Sequence, residues 1–224
     1  MYPYNVCMSL TYSKPINPRV GSNRVSNRIF KGDVLGRSIQ IYRMWFLFVK
    51  LGLDCEDNEI PIVDHVNNKN IKVKVNKKFY KRWDLDRVKE DKFDDWWKDK
   101  KHLFIENEPT LVTDIDDDEN YYYIKVDKRL KKEDVVRGVR ELVKPTKTFT
   151  SEYPINTQHK YLPTHMKYNI FIWKHLGHSR KEIIDLLNKS YRYYDVRVPK
   201  DESSIRRSLR NSERLILDTS KGLF

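Results

Sequence analysis

The sequence predicts an α+β chain, a mixed N-terminal domain followed by a C-terminal module of three helices. Three observations carry this. An apolar helical pattern at 38–54 is followed by segments of strand-like alternation. A polar, proline-bearing stretch at 145–163 interrupts the pattern. Beyond it, three helical periods come in quick succession. The expected layout is a basic irregular arm at 1–37, an α+β domain at 38–144, a linker at 145–163 and a helical module at 164–224.

In the arm, Pro3, Pro15 and Pro18 break helix and Gly21, Gly32 and Gly36 supply turns. Arg19, Arg24, Arg28, Lys31 and Arg37 recur along it, so it suits either a nucleic-acid groove, a partner subunit or a solvated tail. Ser38 to Asp54 (SIQIYRMWFLFVKLGLD) opens at a serine cap and is apolar around most of its circumference, as a central core helix would be. In IPIVDHV and then IKVKV the second piece alternates strictly, a half-buried strand preceded by a turn at Asn67, Asn68 and Asn70. Lys77 to Phe104 spaces Phe79, Trp83, Val88, Phe93, Trp96, Trp97 and Phe104 as one or two short amphipathic helices would. Glu106 to Asn120 is an acidic loop, Tyr121 to Val126 (YYYIKV) a strand, and Lys131 to Lys144 an amphipathic helix that stops before Pro145.

Past the linker, His165 to Leu176 forms a helix closed by Gly177. Ser179 with Glu182 three residues on is a capping box for a second helix, whose buried face is Ile183, Ile184, Leu186 and Leu187. The third helix opens at Asp201 or Ser203. Ile205, Leu209, Ile216 and Leu217 face the core, and Arg206, Arg207, Arg210 and Arg214 gather on one side.

Charge and composition narrow the function. Lys and Arg number 44 against 32 Asp and Glu, a formal charge of +12. Residues 1–50 hold 8 basic and 1 acidic side chain, 51–144 hold 21 and 23, and 145–224 hold 15 and 8. Two basic ends around a neutral to acidic middle point to a polyanionic partner. Cysteine occurs twice, Cys7 and Cys55, too few for a disulfide framework or a four-cysteine zinc site. The first residues lack the pattern of a signal peptide, and the most apolar run, Met44 to Val49, is six residues long where a membrane span needs about 20. A cytoplasmic protein of host cell or virion, without membrane contact, is expected. The chain has no alanine and is rich in Lys, Asn, Ile, Tyr and Asp, the bias that A+T-rich coding DNA of small mobile genomes produces.

Catalytic constellations are not expected. With seven glycines there is no phosphate-cradling loop, and no nucleophile elbow or cysteine–histidine pair stands out. His175 and His178 read as a solvent-facing pair at a helix end rather than metal ligands. The run Asp114, Asp116, Asp117, Asp118 and Glu119 reads as a solvated turn, the alternative being a magnesium site for a nuclease. No cofactor, metal or catalytic residue is assigned. Trp83, Trp96 and Trp97 suit a core or subunit interface, with a protein-partner surface or a platform for single-stranded bases as alternatives.

A helix, a Gly/Ser turn, a capped helix and then an Arg/Ser-rich helix, over residues 165–218, resemble the helix-turn-helix DNA-binding proteins of phages and mobile elements. The resemblance implies that the third helix reads double-stranded DNA. Long arginines reach bases and phosphates while short polar neighbours permit close approach. The expected contact residues are Ser203, Ser204, Arg206, Arg207, Arg210, Asn211 and Arg214, with Arg180 and Lys181 on the preceding helix. The connection Tyr191 to Lys200 departs from the motif's short turn, and an extended segment or small hairpin packed through Tyr191, Tyr193 and Tyr194 would fill it. The expected function is a non-enzymatic DNA-binding regulator, dimeric or larger. The alternative is a viral or satellite assembly protein, scaffold or inhibitor that binds an acidic protein surface.

Overall fold

The computed structural model describes residues 10–18, 28–30, 33–35, 38–107, 124, 126–142, 153, 155 and 159–224. Chain order is β1 (Arg28–Phe30), β2 (Asp33–Leu35), α1 (Ile39–Asp57), β3 (Pro61–Asp64), β4 (Lys69–Lys72), α2 (Leu85–Glu90), α3 (Phe93–Lys100), β5 (Ile105–Asn107), α4 (Lys132–Leu142), α5 (Tyr161–His175), α6 (Arg180–Tyr191) and α7 (Glu202–Ser220). Short 3-10 turns at Lys81–Trp83 and Lys101–Phe104 flank α2 and α3. The described residues are mostly helical. Their strands are short: β1, β2 and β5 pair antiparallel in that order, and β3 and β4 form a separate hairpin. The helical share is larger, and the sheet smaller, than the α+β expectation.

α1 is the central helix because it is apolar on nearly every side. Ser38 caps its first turn, accepting from the Gln40 N–H, and all but four of its residues are buried. Trp45, at its middle, meets Tyr80, Trp83, Phe104, Tyr153 and Phe224 at ring separations of 5.1 to 6.5 Å. A buried polar relay runs through this aromatic mass. The Trp45 indole donates to the Tyr80 hydroxyl at 2.9 Å, which donates to the Thr219 carbonyl of α7 at 2.6 Å. Both polar tips are satisfied, so two large rings enter the core without an orphaned donor.

α7 is the second spine, and its buried stripe serves two clusters. Ile205 and the partly buried Leu209 pack with Met166, Ile170 and Trp173 of α5 and Ile183 and Leu187 of α6. Leu215 and Ile216 instead join the cluster around α1. Small residues mark where helices close in. Ser212 is fully buried and donates to the Lys167 carbonyl of α5 at 2.7 Å. At Gly52 of α1 a Cβ would lie 2.8 Å from the Ser220 hydroxyl, so any larger residue would force the Ser220 side chain to move. The core is continuous from α1 through α5 and α7. The 145–163 stretch lies mostly outside the described residues, but Tyr153 is buried in that core and Ile155 packs on it.

The remaining elements agree with or amend the sequence expectations. Phe93, Trp96 and Trp97 of α3 and Trp83 are buried against α1, so the tryptophan region is core and offers no partner surface through these rings. The alternation of IKVKV places Val73 and Val75 inward, yet the ladder ends at Lys72, because β3 supplies only four partners. The Tyr121–Val126 strand falls largely outside the described residues; Ile124 and Val126 are exposed and not in a strand. α4 forms where expected, with Val136 exposed.

Candidate nucleic-acid interface

α5, α6 and α7 pack on one another, and their junctions follow local chemistry. α5 ends in a left-handed Gly177 (φ 89°), with the His178 N–H returning to the Trp173 carbonyl at 3.1 Å. α6 begins at Ser179 with its capping box complete: the Ser179 hydroxyl accepts from the Glu182 N–H, and the Glu182 carboxylate accepts from the Ser179 N–H. α7 begins at Asp201, whose carboxylate accepts from the Ser204 N–H at 2.8 Å.

At about 100° per residue, Ser203, Arg206, Arg207, Arg210, Asn211 and Arg214 fall within an arc of about 140° on α7. All six are exposed, and the opposite arc carries Ile205, Ser212, Leu215 and Ile216. Core packing thus turns the arginines outward. Among the described residues Arg206, Arg207 and Arg210 have no carboxylate within 4.0 Å, while Arg214 reaches Asp218 at 3.5 Å, one turn on. Exposed guanidinium groups on a helix are of the kind that can pair bidentately with anions, and of these Arg210 also feels the Glu213 charge.

Three of the expected contacts are otherwise engaged. The hydroxyls of Ser203 and Ser204 donate to Asp201 at 2.6 and 3.0 Å. These bonds, with the helix N–H, hold the Asp201 carboxyl down at about 2. The two serines are therefore part of the helix cap before they are anything else. Arg180 pairs with Glu202 at 3.1 Å, joining the start of α6 to the start of α7, whereas Lys181 is exposed without an ion pair among the described residues. Of the nine expected residues, the structure brings the four arginines, Ser203 and Asn211 of α7 onto one face; Ser204 is half-buried beside the cap.

The long α6–α7 connection is built rather than slack. Tyr191 is buried and contacts the His165 imidazole, and its carbonyl accepts from the Tyr194 N–H at 3.0 Å. Val196 and Val198 pack on the α5–α7 cluster, and the Tyr194 hydroxyl donates to the Pro18 carbonyl at 2.7 Å. Tyr193 does not pack on the module: its ring is 79% exposed, with the Arg192 guanidinium 4.2 Å from its centroid.

The described part of the N-terminal arm is docked, by residues that carry no sequence motif. The fully buried Asp54 carboxylate of α1 accepts from the N–H groups of Thr11, Tyr12 and Ser13 at 2.7, 3.0 and 2.8 Å, and from the Asn58 amide at 2.8 Å. Further along, Asn169 of α5 pairs with Ile16 as a strand neighbour would, accepting from its N–H at 3.0 Å and donating to its carbonyl at 2.7 Å. Sequence reasoning missed both anchors. An aspartate inside the most apolar helix was the one available signal.

The histidines and the acidic run bear on chemistry. His175 is not a solvent-facing member of a pair: its ring packs 4.2 Å from Phe171, and burial pulls its pKa down to about 4. His165 is fully buried, and burial lowers it likewise to about 4. The Asp114–Glu119 run lies outside the described residues, and among the described ones no three His, Cys, Asp or Glu side chains are grouped to hold a metal. None of the described helices is long and apolar enough to cross a membrane. No family model, curated protein or solved structure matches the chain.

Proposed function

We propose that this chain is a non-enzymatic protein that binds double-stranded DNA through the exposed arginine face of α7. The observation that carries the reading is the row Arg206, Arg207 and Arg210, exposed on one face and without a carboxylate within 4.0 Å among the described residues, though Arg210 lies close enough to Glu213 to feel its charge, with Arg214 and Asn211 extending it. Guanidinium forks match phosphate oxygens and guanine edges bidentately, and asparagine matches adenine. The positive excess of residues 145–224, 15 basic against 8 acidic, supports the same partner. In this reading the arginines divide between phosphates, which position the helix, and bases, which select sequence. A regulator from a phage, satellite or mobile element fits the A+T-type composition.

Fluorescence anisotropy with a labelled duplex measures it. Three phosphates neutralised by three arginines give a salt slope of about −2.7, so affinity falls about 40-fold between 50 and 200 mM salt. Arg206→Ala with Arg210→Ala is expected to reduce the slope by about 1.8 and leave the thermal unfolding midpoint nearly unchanged, since both side chains are exposed and neither forms a salt bridge among the described residues. Absence of binding at 50 mM salt, or binding indifferent to both substitutions, overturns the reading. An acidic protein as the true partner would give the first outcome.

A further inference from the structure

The loop between α6 and α7 presents one feature that the arginine face does not explain. Tyr193 is the one aromatic among the strongly exposed large apolar side chains of the described residues. An exposed aromatic ring gains nothing from burial, and this one is not at a loose end of the chain. Its neighbours fix it from both sides. Tyr191 is buried, Tyr194 is held to Pro18, and Val196 and Val198 are seated on the α5–α7 cluster. The backbone closes on itself through Tyr194 N–H to Tyr191 and Val196 N–H to Tyr194, at 3.0 and 2.8 Å. The backbone on either side of the ring is therefore held in place, and the Arg192 guanidinium lies over the ring, 4.2 Å from its centroid.

Arg192, Arg197 and Lys200 are exposed on the same loop against one acidic residue, Asp195, and the loop runs directly into the cap of α7. Stacking surface and positive charge together are what proteins use to hold an unpaired base beside its phosphate.

We propose that Tyr193, backed by Arg192, is a stacking platform for an unpaired nucleobase, so that the preferred partner is a duplex carrying a single-stranded end or gap rather than a continuous duplex. This rests on the DNA-binding reading of α7 and deepens it. A base lies on the tyrosine ring, its phosphate meets Arg192 or Arg197, and the adjoining duplex lies along the arginine face.

The experiment compares two labelled probes with the full-length chain at fixed salt. One is a blunt duplex; the other is the same duplex with a four-nucleotide single-stranded tail carrying 2-aminopurine. The tailed probe is expected to bind about 10-fold tighter, and its 2-aminopurine fluorescence to be quenched on binding. Tyr193→Ala should abolish both the preference and the quenching while leaving blunt-duplex affinity within about 2-fold. Tyr193→Phe should retain them, because stacking needs the ring and not the hydroxyl. Tyr193 is exposed, so neither variant disturbs the core. Equal affinity for the two probes, or a preference that survives Tyr193→Ala, overturns the proposal. The α7 double variant keeps the outcomes separate. If Arg206→Ala with Arg210→Ala weakens both probes while Tyr193→Ala changes neither, the platform fails and the arginine face stands. If the arginine variant changes neither probe, the arginine face fails as well.

Discussion

Replacing Asp54 by alanine releases the N-terminal arm. Its carboxylate is the acceptor for three consecutive backbone N–H groups, of Thr11, Tyr12 and Ser13, and for the Asn58 amide. An orphaned buried donor costs about 1–3 kcal/mol. Ser13 is buried, so its N–H carries the full penalty; Thr11 is exposed and Tyr12 half-buried, so theirs are partly recovered from water. The net loss for Asp54→Ala is about 2–4 kcal/mol, smaller than the sum of the broken bonds because the mutation also ends the burial of a charge. For a chain of this size that lowers the unfolding midpoint by roughly 5–12 °C. Asp54→Asn keeps the shape and one acceptor oxygen but turns an NH2 toward backbone donors, so its loss should be intermediate. Thermal melts followed by circular dichroism give the midpoint, and amide hydrogen exchange locates the damage. The Thr11, Tyr12 and Ser13 amides should lose protection before those of α1 do. A midpoint within about 1 °C of the parent, with the three amides still protected, would refute the account of how the arm is held.

Two glycines with almost the same backbone should respond differently to alanine. Gly177 (φ 89°) has open space where a Cβ would go, so Gly177→Ala should cost only the left-handed strain, about 1–2 kcal/mol. At Gly222 (φ 92°) a Cβ would lie 2.7 Å from two Phe79 ring carbons, so Gly222→Ala adds overpacking and should cost roughly 3 kcal/mol; equal costs in urea denaturation would count against the packing there. His165 makes stability fall with acid. Burial lowers its folded pKa from an ordinary 6.5 to about 4, so between these values the unfolded chain takes up a proton that the folded one does not. The stability it contributes is therefore complete above about pH 6.5 and lost as pH falls toward 4, roughly 2 kcal/mol by pH 4.5. His165→Gln should shrink the difference in unfolding free energy between pH 7 and pH 4.5; an unchanged difference contradicts the assignment.

Faces were legible in the sequence and partners were not. The 3.6-residue period put Ile205, Leu209 and Ile216 inward and the arginines of α7 outward, and Ser179 with Glu182 announced the start of α6; each depends only on local spacing. The same period says nothing about which surface covers a stripe. One half of the α7 stripe packs on α5 and α6 and the other on α1, which no local pattern distinguishes. Nor does sequence report where backbone N–H groups find acceptors, so the Asp54 anchor left no trace beyond an aspartate in an apolar helix. In the tyrosine-rich Tyr191–Tyr194 run, all tyrosines look alike from composition. The tertiary fit alone decides that Tyr191 goes in, Tyr194 turns to Pro18 and Tyr193 stays out.

These anchors converge on the two parts of the proposed interface. From Asp54 the arm runs over α5, where Asn169 grips Ile16, and reaches Pro18, whose carbonyl holds Tyr194. The ledge that presents Tyr193 is thus tied, through the eight residues from Thr11 to Pro18, to the last turn of the core helix. α7 is fixed from its other side, by Ser212 against α5, by Thr219 through Tyr80 to Trp45, and by Ser220 at Gly52. Neither part hangs on a free hinge. A surface mounted in this way would lose little freedom on binding, and the proposed interface would then discriminate by fixed spacing rather than by adjustment. The consequence for recognition is geometric. On the proposed DNA-binding reading, a partner offers the arginine face its phosphates and the tyrosine ledge a base at the separation the core dictates, and loosening the arm at Asp54 should then blunt the tailed-duplex preference while sparing the salt dependence assigned to α7.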